Sequence, residues 1–479
     1  MSNRPNIIVI LTDDQGSWAL GSAGNREIRT PHLDRLADSG IRFDNFFCVS
    51  PVCSPARASL LTGRIPSHHG VHDWLRGGNA KVDHENHGLI EYLKDQPGYT
   101  DFLSQQGYVC GLSGKWHLGD SHHPQKGFTY WEAFAKGGDH YYGSAMIRDG
   151  EVVLEPRYVT DVITDNALHF LEQQRGDDSP FYLSVHYTAP HLPWDREEHP
   201  RELWDDYFNH CPFDSVPREP MHPDHIVMYR EAFQSETKRR EFLAGYYAAT
   251  TAMDAGVGRI LDWLEKNELR EETIIFFTGD NGMNMGHHGI YGKGNSTYGM
   301  NMYDTSVKVP AILSRPGTIP AGRTRGELLS HYDIFPTLLE TLGIENPHAE
   351  TLPGRSFSPL LRGEAYTQRE NVVVFDEYGP ARMIRNREWK YVHRVPDGPH
   401  ELYHLDEDPG EQTNLADDAS WQSVLRELRG ELDGFFETYV DPRRDGARLG
   451  VLGGGQIGLA EEGNDVFRDH MENELPRNP

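Results

Sequence analysis

Four cysteines in 479 residues, none in a Cys-x-x-Cys pair, are too few and too scattered for a disulfide framework or a zinc ribbon. Long apolar runs are missing as well. No stretch approaches the roughly eighteen residues of a membrane-spanning helix, so no membrane partner is expected. Basic residues are in deficit: 46 Lys and Arg stand against 73 Asp and Glu, a formal charge of −27. That field opposes nucleic acid and anionic membrane surfaces, and an anionic substrate would need a local pocket of cations. No internal repeat is found. The start, Met-Ser-Asn-Arg-Pro-Asn, enters a strand-like run with no signal-peptide apolar region and no small-residue cleavage site, which predicts a cytoplasmic protein. What the chain does have is 37% hydrophobic and 11% aromatic residues, enough for a substantial core, and a length that suits one large domain with a smaller one. Its 25 histidines are the more telling excess, because many cluster with Gly, Trp and Asp.

Residues 6–11, Asn-Ile-Ile-Val-Ile-Leu, form a continuous apolar, β-branched run, the pattern of a strand buried on both faces of a parallel sheet. It ends in Thr12-Asp13-Asp14. Residues 273–278 repeat the arrangement and end in Gly279-Asp280-Asn281. Two further runs end in cationic or imidazole residues: 108–113 leads into Gly114-Lys115-Trp116-His117, and 181–187 leads into Thr188-Ala189-Pro190-His191. Ligands of open α/β sheets bind outside the carboxyl ends of the strands, so four such ends should share one crevice. Helical spacing over 31–39, 158–174 and 239–267 alternates with these strands. The fold class expected is therefore α/β: a doubly wound, mostly parallel central sheet with helices on both faces. Past residue 365, short strands at 371–375, 383–385, 390–394 and 401–405 and an amphipathic helix at 421–439 predict a smaller C-terminal subdomain with an antiparallel sheet. The expected divisions are 1–365, 366–442 and a Gly-rich, charged tail, 443–479, read as irregular: disordered, draped over a neighbouring surface, or reaching a partner subunit's pocket in a homo-oligomer.

Asp13, Asp14, Asp280 and Asn281 offer only oxygen ligands, the set for a hard cation such as Ca²⁺ or Mg²⁺ rather than zinc. A lone Asp at a strand end reads as a cap or turn former. Two acidic pairs, each directly after a buried strand, weigh toward a metal. The stretch 51–63, Pro-Val-Cys-Ser-Pro-Ala-Arg-Ala-Ser-Leu-Leu-Thr-Gly, reads as a loop turning into a helix, with Ser54 as N-cap, Pro55 at the first helical position and Gly63 as a left-handed stop. Cys53 then lies just ahead of a helix N-terminus, and Arg57 adds a guanidinium fork one turn in, a place that favours sulfate or phosphate oxygens. By itself this leaves Cys53 either a buried structural cysteine or a thiolate with a lowered pKa.

Cys53-Ser54-Pro55-Ala56-Arg57 matches the Cys-x-Pro-x-Arg signature of the type I, formylglycine-dependent sulfatases of the alkaline phosphatase superfamily, and Gly114-Lys115-Trp116-His117-Leu118-Gly119 matches their second signature. The order Asp13-Asp14, Cys53, Lys115-His117, His191, Asp280-Asn281, Lys293 also resembles that family over residues 5–440, as does the closing run from Glu401-Leu402-Tyr403 to Asn414-Leu415. Asp304 stands where the family usually has Glu. The resemblance implies a sulfuric ester hydrolase whose Cys53 is converted by a formylglycine-generating maturation enzyme to an aldehyde. The aldehyde hydrates to a diol that attacks sulfur with one hydroxyl and expels sulfate with the other. It further implies one divalent cation, Ca²⁺ favoured over Mg²⁺, on Asp13, Asp14, Cys53, Asp280 and Asn281. Arg57 would hold the diol, Lys115 and Lys293 the sulfate oxygens, His191 would be the general acid, and His117 would serve the second hydroxyl.

For specificity, His72, Trp74, Arg76 and Trp194 are the substrate-binding candidates. They read equally well as a sugar pocket or as a buried cluster supporting the site. Length and the strand-rich C-terminal part resemble bacterial sulfatases acting on carbohydrate sulfates, so a small sulfated saccharide is the expected substrate, with aryl sulfates also accepted. The rival activities are phosphonate monoester or phosphodiester hydrolysis on the same fold. A non-catalytic sulfated-glycan-binding protein is a third reading, and it predicts a degraded site that the sequence does not show.

Overall fold

The computed structural model describes residues 4–81, 88–226, 229–378, 380–396, 398–461 and 463–469. A ten-stranded mixed sheet runs through the protein in the order Arg323–Arg325, Ile41–Phe43, Ala311–Ser314, Thr273–Gly279, Asn6–Thr12, Phe181–His186, Val109–Lys115, Phe128–Phe134, Ser144–Arg148, Glu151–Glu155. The five strands from 273–279 to 128–134 are mutually parallel. Antiparallel strands close both flanks. The central Asn6–Thr12 strand shows why an unbroken apolar run was needed: Ile7, Val9 and Leu11 join one core and Ile8 and Ile10 another, one on each face.

Helices Pro31–Asp38, Val159–Gln174 and Glu236–Lys266 pack on the Ile8 and Ile10 face, through Leu33, Leu36, Ile163, Phe170, Met253 and Ile260. Helix Cys53–Thr62 packs on the other face and is buried along its whole length. None of the helices, among the described residues, is long and apolar enough to cross a membrane.

The C-terminal sheet is a four-stranded antiparallel meander, Val372–Asp376, Ala381–Arg385, Trp389–Arg394 and Glu401–His404, covered by helix Gln422–Tyr439. Leu425, Leu428, Leu432 and Phe436 of that helix meet Val373, Ile384, Tyr391 and Leu402 of the sheet. Asp304 ties the two parts together: Arg385 and Lys390 of the small sheet and Lys308 of its own turn all reach its carboxylate, and Lys390 also pairs with Glu411. Asp304 is thus a structural tie, not a wall of the pocket.

The tail departs from the irregular segment expected. Residues Gly446–Leu449 make one helical turn, and Gly453–Gln456 pairs with Phe467–Asp469 as a two-stranded ribbon. The ribbon docks on loop 70–77 of its own chain, through backbone bonds from Gln456 to Trp74 and from Arg76 to Gln456. Residues 470–479 lie outside the described residues.

Candidate active site

Four neighbouring parallel strands end at one crevice, and each delivers what its sequence promised. Thr273–Gly279 is followed by Asp280 and Asn281, Asn6–Thr12 by Asp13 and Asp14, Phe181–His186 by His191, and Val109–Lys115 ends in Lys115 ahead of His117. Asp14 and His117 have φ of 61° and 54°, left-handed values that cost energy in residues with a Cβ. The packing around both residues holds them there.

Three carboxylates and three cations interlock. The Nε of Arg57 donates to Asp280 Oδ2 (2.9 Å), its NH1 donates to the Lys115 carbonyl (3.0 Å), and its NH2 lies 3.9 Å from Asp13 Oδ1. Lys115 Nζ donates to Asp13 Oδ2 at 2.5 Å and Lys293 Nζ to Asp14 Oδ1 at 2.6 Å. Asn281 Nδ2 donates to Asp14 Oδ1 (2.9 Å), and Asp280 Oδ1 accepts from the backbone N–H of Asp14 and Asn281. Burial works to raise the Asp13 and Asp14 carboxyls, but Lys115 against Asp13, and Lys293 against Asp14, outweigh it and hold both below the usual carboxylate value. Lys293 is largely shielded, its side chain 12% exposed, and Asp14 and its neighbours outweigh that desolvation and hold its ammonium well above the ordinary lysine value. A surface lysine is excluded.

Asp13 Oδ1 and Asn281 Oδ1 are buried without a hydrogen-bond partner among the described residues. Buried oxygens of that kind are costly unless something binds them. Asp13, Asp14 and His191 also bring ligand atoms within 4.8 Å of one another. The donor set fits a divalent cation.

Cys53 lies at the pocket floor as the first residue of its helix, with Val52 as N-cap and Gly63 closing the far end at φ 68°. The helix thus begins earlier than expected, because the Ser54 hydroxyl does not cap it. Ser54 Oγ accepts from the backbone N–H of Leu75 instead (3.1 Å). Burial pushes the Cys53 thiol up, with Lys115 and Lys293 opposing. Burial thus works against the lowered-pKa thiolate that the helix end alone suggested.

The two histidines are oriented by carbonyls. His191 Nδ1 is 2.8 Å from the Leu192 carbonyl and its Nε2 3.6 Å from Asp14 Oδ2. His117 Nε2 is 3.0 Å from the Leu75 carbonyl, and burial, then Lys115 and Arg57, keep its ring neutral, well below the usual histidine value. Loop 136–140, Lys-Gly-Gly-Asp-His, covers both rings: a Cβ on Gly137 would lie 2.3 Å from the His117 ring, and one on Gly138 would lie 3.1 Å from the His191 ring. This loop follows the fifth parallel strand, so the strand-end rule could have found it. Its glycines carry no chemistry of their own, and that hid it.

Above this floor opens a cavity of about 740 Å³, with Trp74, Arg76, Lys136, Tyr229, Asn295 and Ser296 in its walls. Trp74 and Arg76 therefore stand where a substrate would. His72 and Trp194 do not. His72 is buried under the tail against Gly446 and Phe467, and Trp194 is buried with its Nε1 donating to the Pro190 carbonyl and its ring against Phe242 and Tyr246. Both support the site from behind, because the chain on either side turns their rings into the core.

The family profile described as Sulfatase matches residues 5–344, and that of the N-sulphoglucosamine sulphohydrolase C-terminal region matches 286–437. The chain is 30% identical to an ulvan-active sulfatase of Formosa agariphila, over 90% of its own length and 80% of the relative's. It is 29% identical to an N-acetylglucosamine-6-O-sulfatase of Bacteroides thetaiotaomicron, over 92% and 88%. Among solved structures, one in complex with its substrate D-glucosamine-2-N,6-O-disulfate superposes with a TM-score of 0.78 at 26% identity, covering 92% of this chain and 99% of that one.

Proposed function

The chain belongs to the sulfatase family and is a sulfuric ester hydrolase, and from that premise we propose that it removes sulfate from a saccharide, with Cys53, matured to formylglycine, as the bearer of the nucleophilic hydroxyl. The observation that carries this reading is the convergence of four strand ends on Cys53, with acids and cations in equal number beneath an open, aromatic-walled cavity. Trp74 and Tyr229 offer faces for a sugar ring, and Arg76, Asn295 and Ser296 offer donors for hydroxyls.

Asp13, Asp14, Asp280 and Asn281, together with the Cys53 position, would hold the cation. Ca²⁺ is the ion we assign, because the four side chains are all but sealed from solvent and Mg²⁺ keeps its waters more stubbornly. Bound there, a divalent cation supplies the charge that lowers the pKa of the nucleophilic hydroxyl and polarises the ester.

The remaining work falls to the chain's own side chains. Arg57 fixes Asp280 and the Lys115 backbone with a rigid fork. Lys115 and Lys293, whose ammonium groups lie on Asp13 and Asp14, are the cations that would bind sulfate oxygens. His191 donates Nδ1–H to the Leu192 carbonyl and so aims Nε2 at the site; in the doubly protonated ring the Nε2–H proton is the one handed to the leaving alcohol oxygen, which leaves a neutral Nδ1–H imidazole. His117 donates Nε2–H to the Leu75 carbonyl and presents Nδ1 as the acceptor for the proton of the second hydroxyl.

Parallel assays with nitrophenyl sulfate, nitrophenyl phosphate and phenyl phosphonate, followed by a panel of sulfated monosaccharides, test the reading. Sulfate esters should dominate, and a sulfated sugar should exceed the aryl ester in kcat/KM. Dominant phosphonate or phosphate turnover would overturn it. Peptide mass spectrometry should find aldehyde at Cys53 in active preparations, and full activity with an intact thiol would refute the assigned nucleophile.

A further inference from the structure

The glycine-rich tail has no part in the reaction described so far, yet it packs on the loop whose Leu75 carbonyl orients His117. Gln456, fully buried, is its centre. The Gln456 backbone N–H donates to the Trp74 carbonyl (2.8 Å) and its carbonyl accepts from the Arg76 N–H (2.9 Å), so the tail bridges across Leu75. The Gln456 side chain donates through Nε2 to the carbonyls of Gly70 (3.0 Å) and Gly458 (2.9 Å), and Oε1 accepts from the His72 N–H (2.9 Å). One residue earlier, the Gly455 N–H donates to Asp73 Oδ2 (3.0 Å). Gly455 has φ of 102°, and a Cβ there would lie 2.8 Å from Arg76 Cβ and 3.1 Å from the Trp74 indole, so only glycine lets the strand come this close.

Leu75, the residue bridged, reaches the active site through both backbone polar groups. Its N–H donates to Ser54 Oγ beside Cys53, and its carbonyl, which also accepts from Asn79 Nδ2 (2.8 Å), faces His117 Nε2. A carbonyl can only accept, so Nε2 carries the proton of the neutral ring. His117 Nδ1, buried and with no hydrogen-bond partner among the described residues, is left as the acceptor.

We propose that Gln456 is a positioning residue for sulfate ester hydrolysis: by fixing loop 70–77 it places the Leu75 carbonyl, and that carbonyl holds His117 in the tautomer whose Nδ1 can take a proton. The inference rests on the role given to His117 above. It identifies the C-terminal ribbon as part of the catalytic apparatus, although more than 300 residues separate it from the signature helix.

Gln456→Met in the full-length chain keeps the volume and removes three side-chain hydrogen bonds. Measured on nitrophenyl sulfate, per molecule of enzyme with converted Cys53, kcat should fall about tenfold or more while KM stays within about twofold, because the groups that bind the sulfate end are untouched. Asp73→Asn, a milder loosening that spoils one acceptor of the ribbon, should move kcat the same way by a few-fold, and it decides the matter if Gln456→Met does not fold. A kcat within twofold of the parent in the folded variants, with only a lower melting temperature, would make the tail a structural strap and overturn the inference. His117→Ala separates the two claims. If it keeps kcat, the role of His117 fails. If it abolishes turnover while the tail variants keep kcat, the tail inference alone fails.

Discussion

Gly137→Ala should disable the enzyme while leaving the fold intact. The added Cβ would lie 2.3 Å from both Cε1 and Nε2 of His117, whereas ordinary contact between such atoms begins near 3.5 Å. Something must therefore move by about 1 Å. The His117 ring is held through Nε2 by the Leu75 carbonyl at 3.0 Å and has a left-handed backbone, so it has no slack of its own. A displacement of about 1 Å at a proton-transfer group costs on the order of 10²-fold in rate. Gly138→Ala is the internal comparison. Its Cβ would stop 3.1 Å from the His191 ring, a conflict relieved by a few tenths of an ångström, and it should cost only a few-fold. The same overlap should lower stability by about 1–3 kcal/mol, offset in part by the about 0.4–1 kcal/mol that alanine gains by restricting the unfolded chain, since the φ of Gly137 is not in the left-handed region. The assay is kcat on nitrophenyl sulfate, normalised to the aldehyde content at position 53, beside the melting temperature. A Gly137→Ala enzyme within threefold of the parent would refute the claim that loop 136–140 fixes the histidines. So would a Gly138→Ala variant as damaged as Gly137→Ala.

Lys390→Met should lower the melting temperature by several degrees: it strips the counter-charge from buried Glu411 and one from Asp304, and breaking a buried pair on one side costs about 3–5 kcal/mol. Asp254, buried in helix Glu236–Lys266, is raised by burial to about 7, with the N–H groups of Leu33 and His32 opposing. Between about pH 4, where the unfolded carboxyl titrates, and pH 7, the folded chain holds a proton the unfolded one has lost, so this group's contribution to stability falls as pH rises, by up to about 4 kcal/mol. Melting temperatures of the parent and of Asp254→Asn from pH 5 to 8 should converge on a flatter profile for the variant, and parallel profiles would refute the assignment. Prolonged chelation should remove turnover and lower the melting temperature, and Ca²⁺ should restore both at lower concentration than Mg²⁺. Unchanged melting on chelation would count against a structural tie between the cation and Asp13, Asp14, Asp280 and Asn281.

What the sequence determined by itself was the floor of the site. Short unbroken β-branched runs such as residues 6–11 read as strands buried on both faces, and residues directly after neighbouring parallel strands meet at their carboxyl ends. Asp13, Asp14, Lys115, His117, His191, Asp280 and Asn281 were therefore legible before any coordinate. The antiparallel meander and its covering helix followed from periodicity in the same way, as the Leu425 to Phe436 stripe shows.

Tertiary structure decided what side-chain identity cannot express. Trp74 and Trp194 look alike as sugar platforms, yet one lines the cavity and the other is turned into the core. The Leu75 carbonyl is a backbone atom, present at every position, and only the packing that brings Asn79 and His117 to it, with Gln456 bridging its loop, makes it selective. Gly137 acts through the absence of a side chain. The ribbon at Gly453–Gln456 finds loop 70–77 across most of the length of the chain, and no local pattern encodes a contact between segments so far apart in sequence.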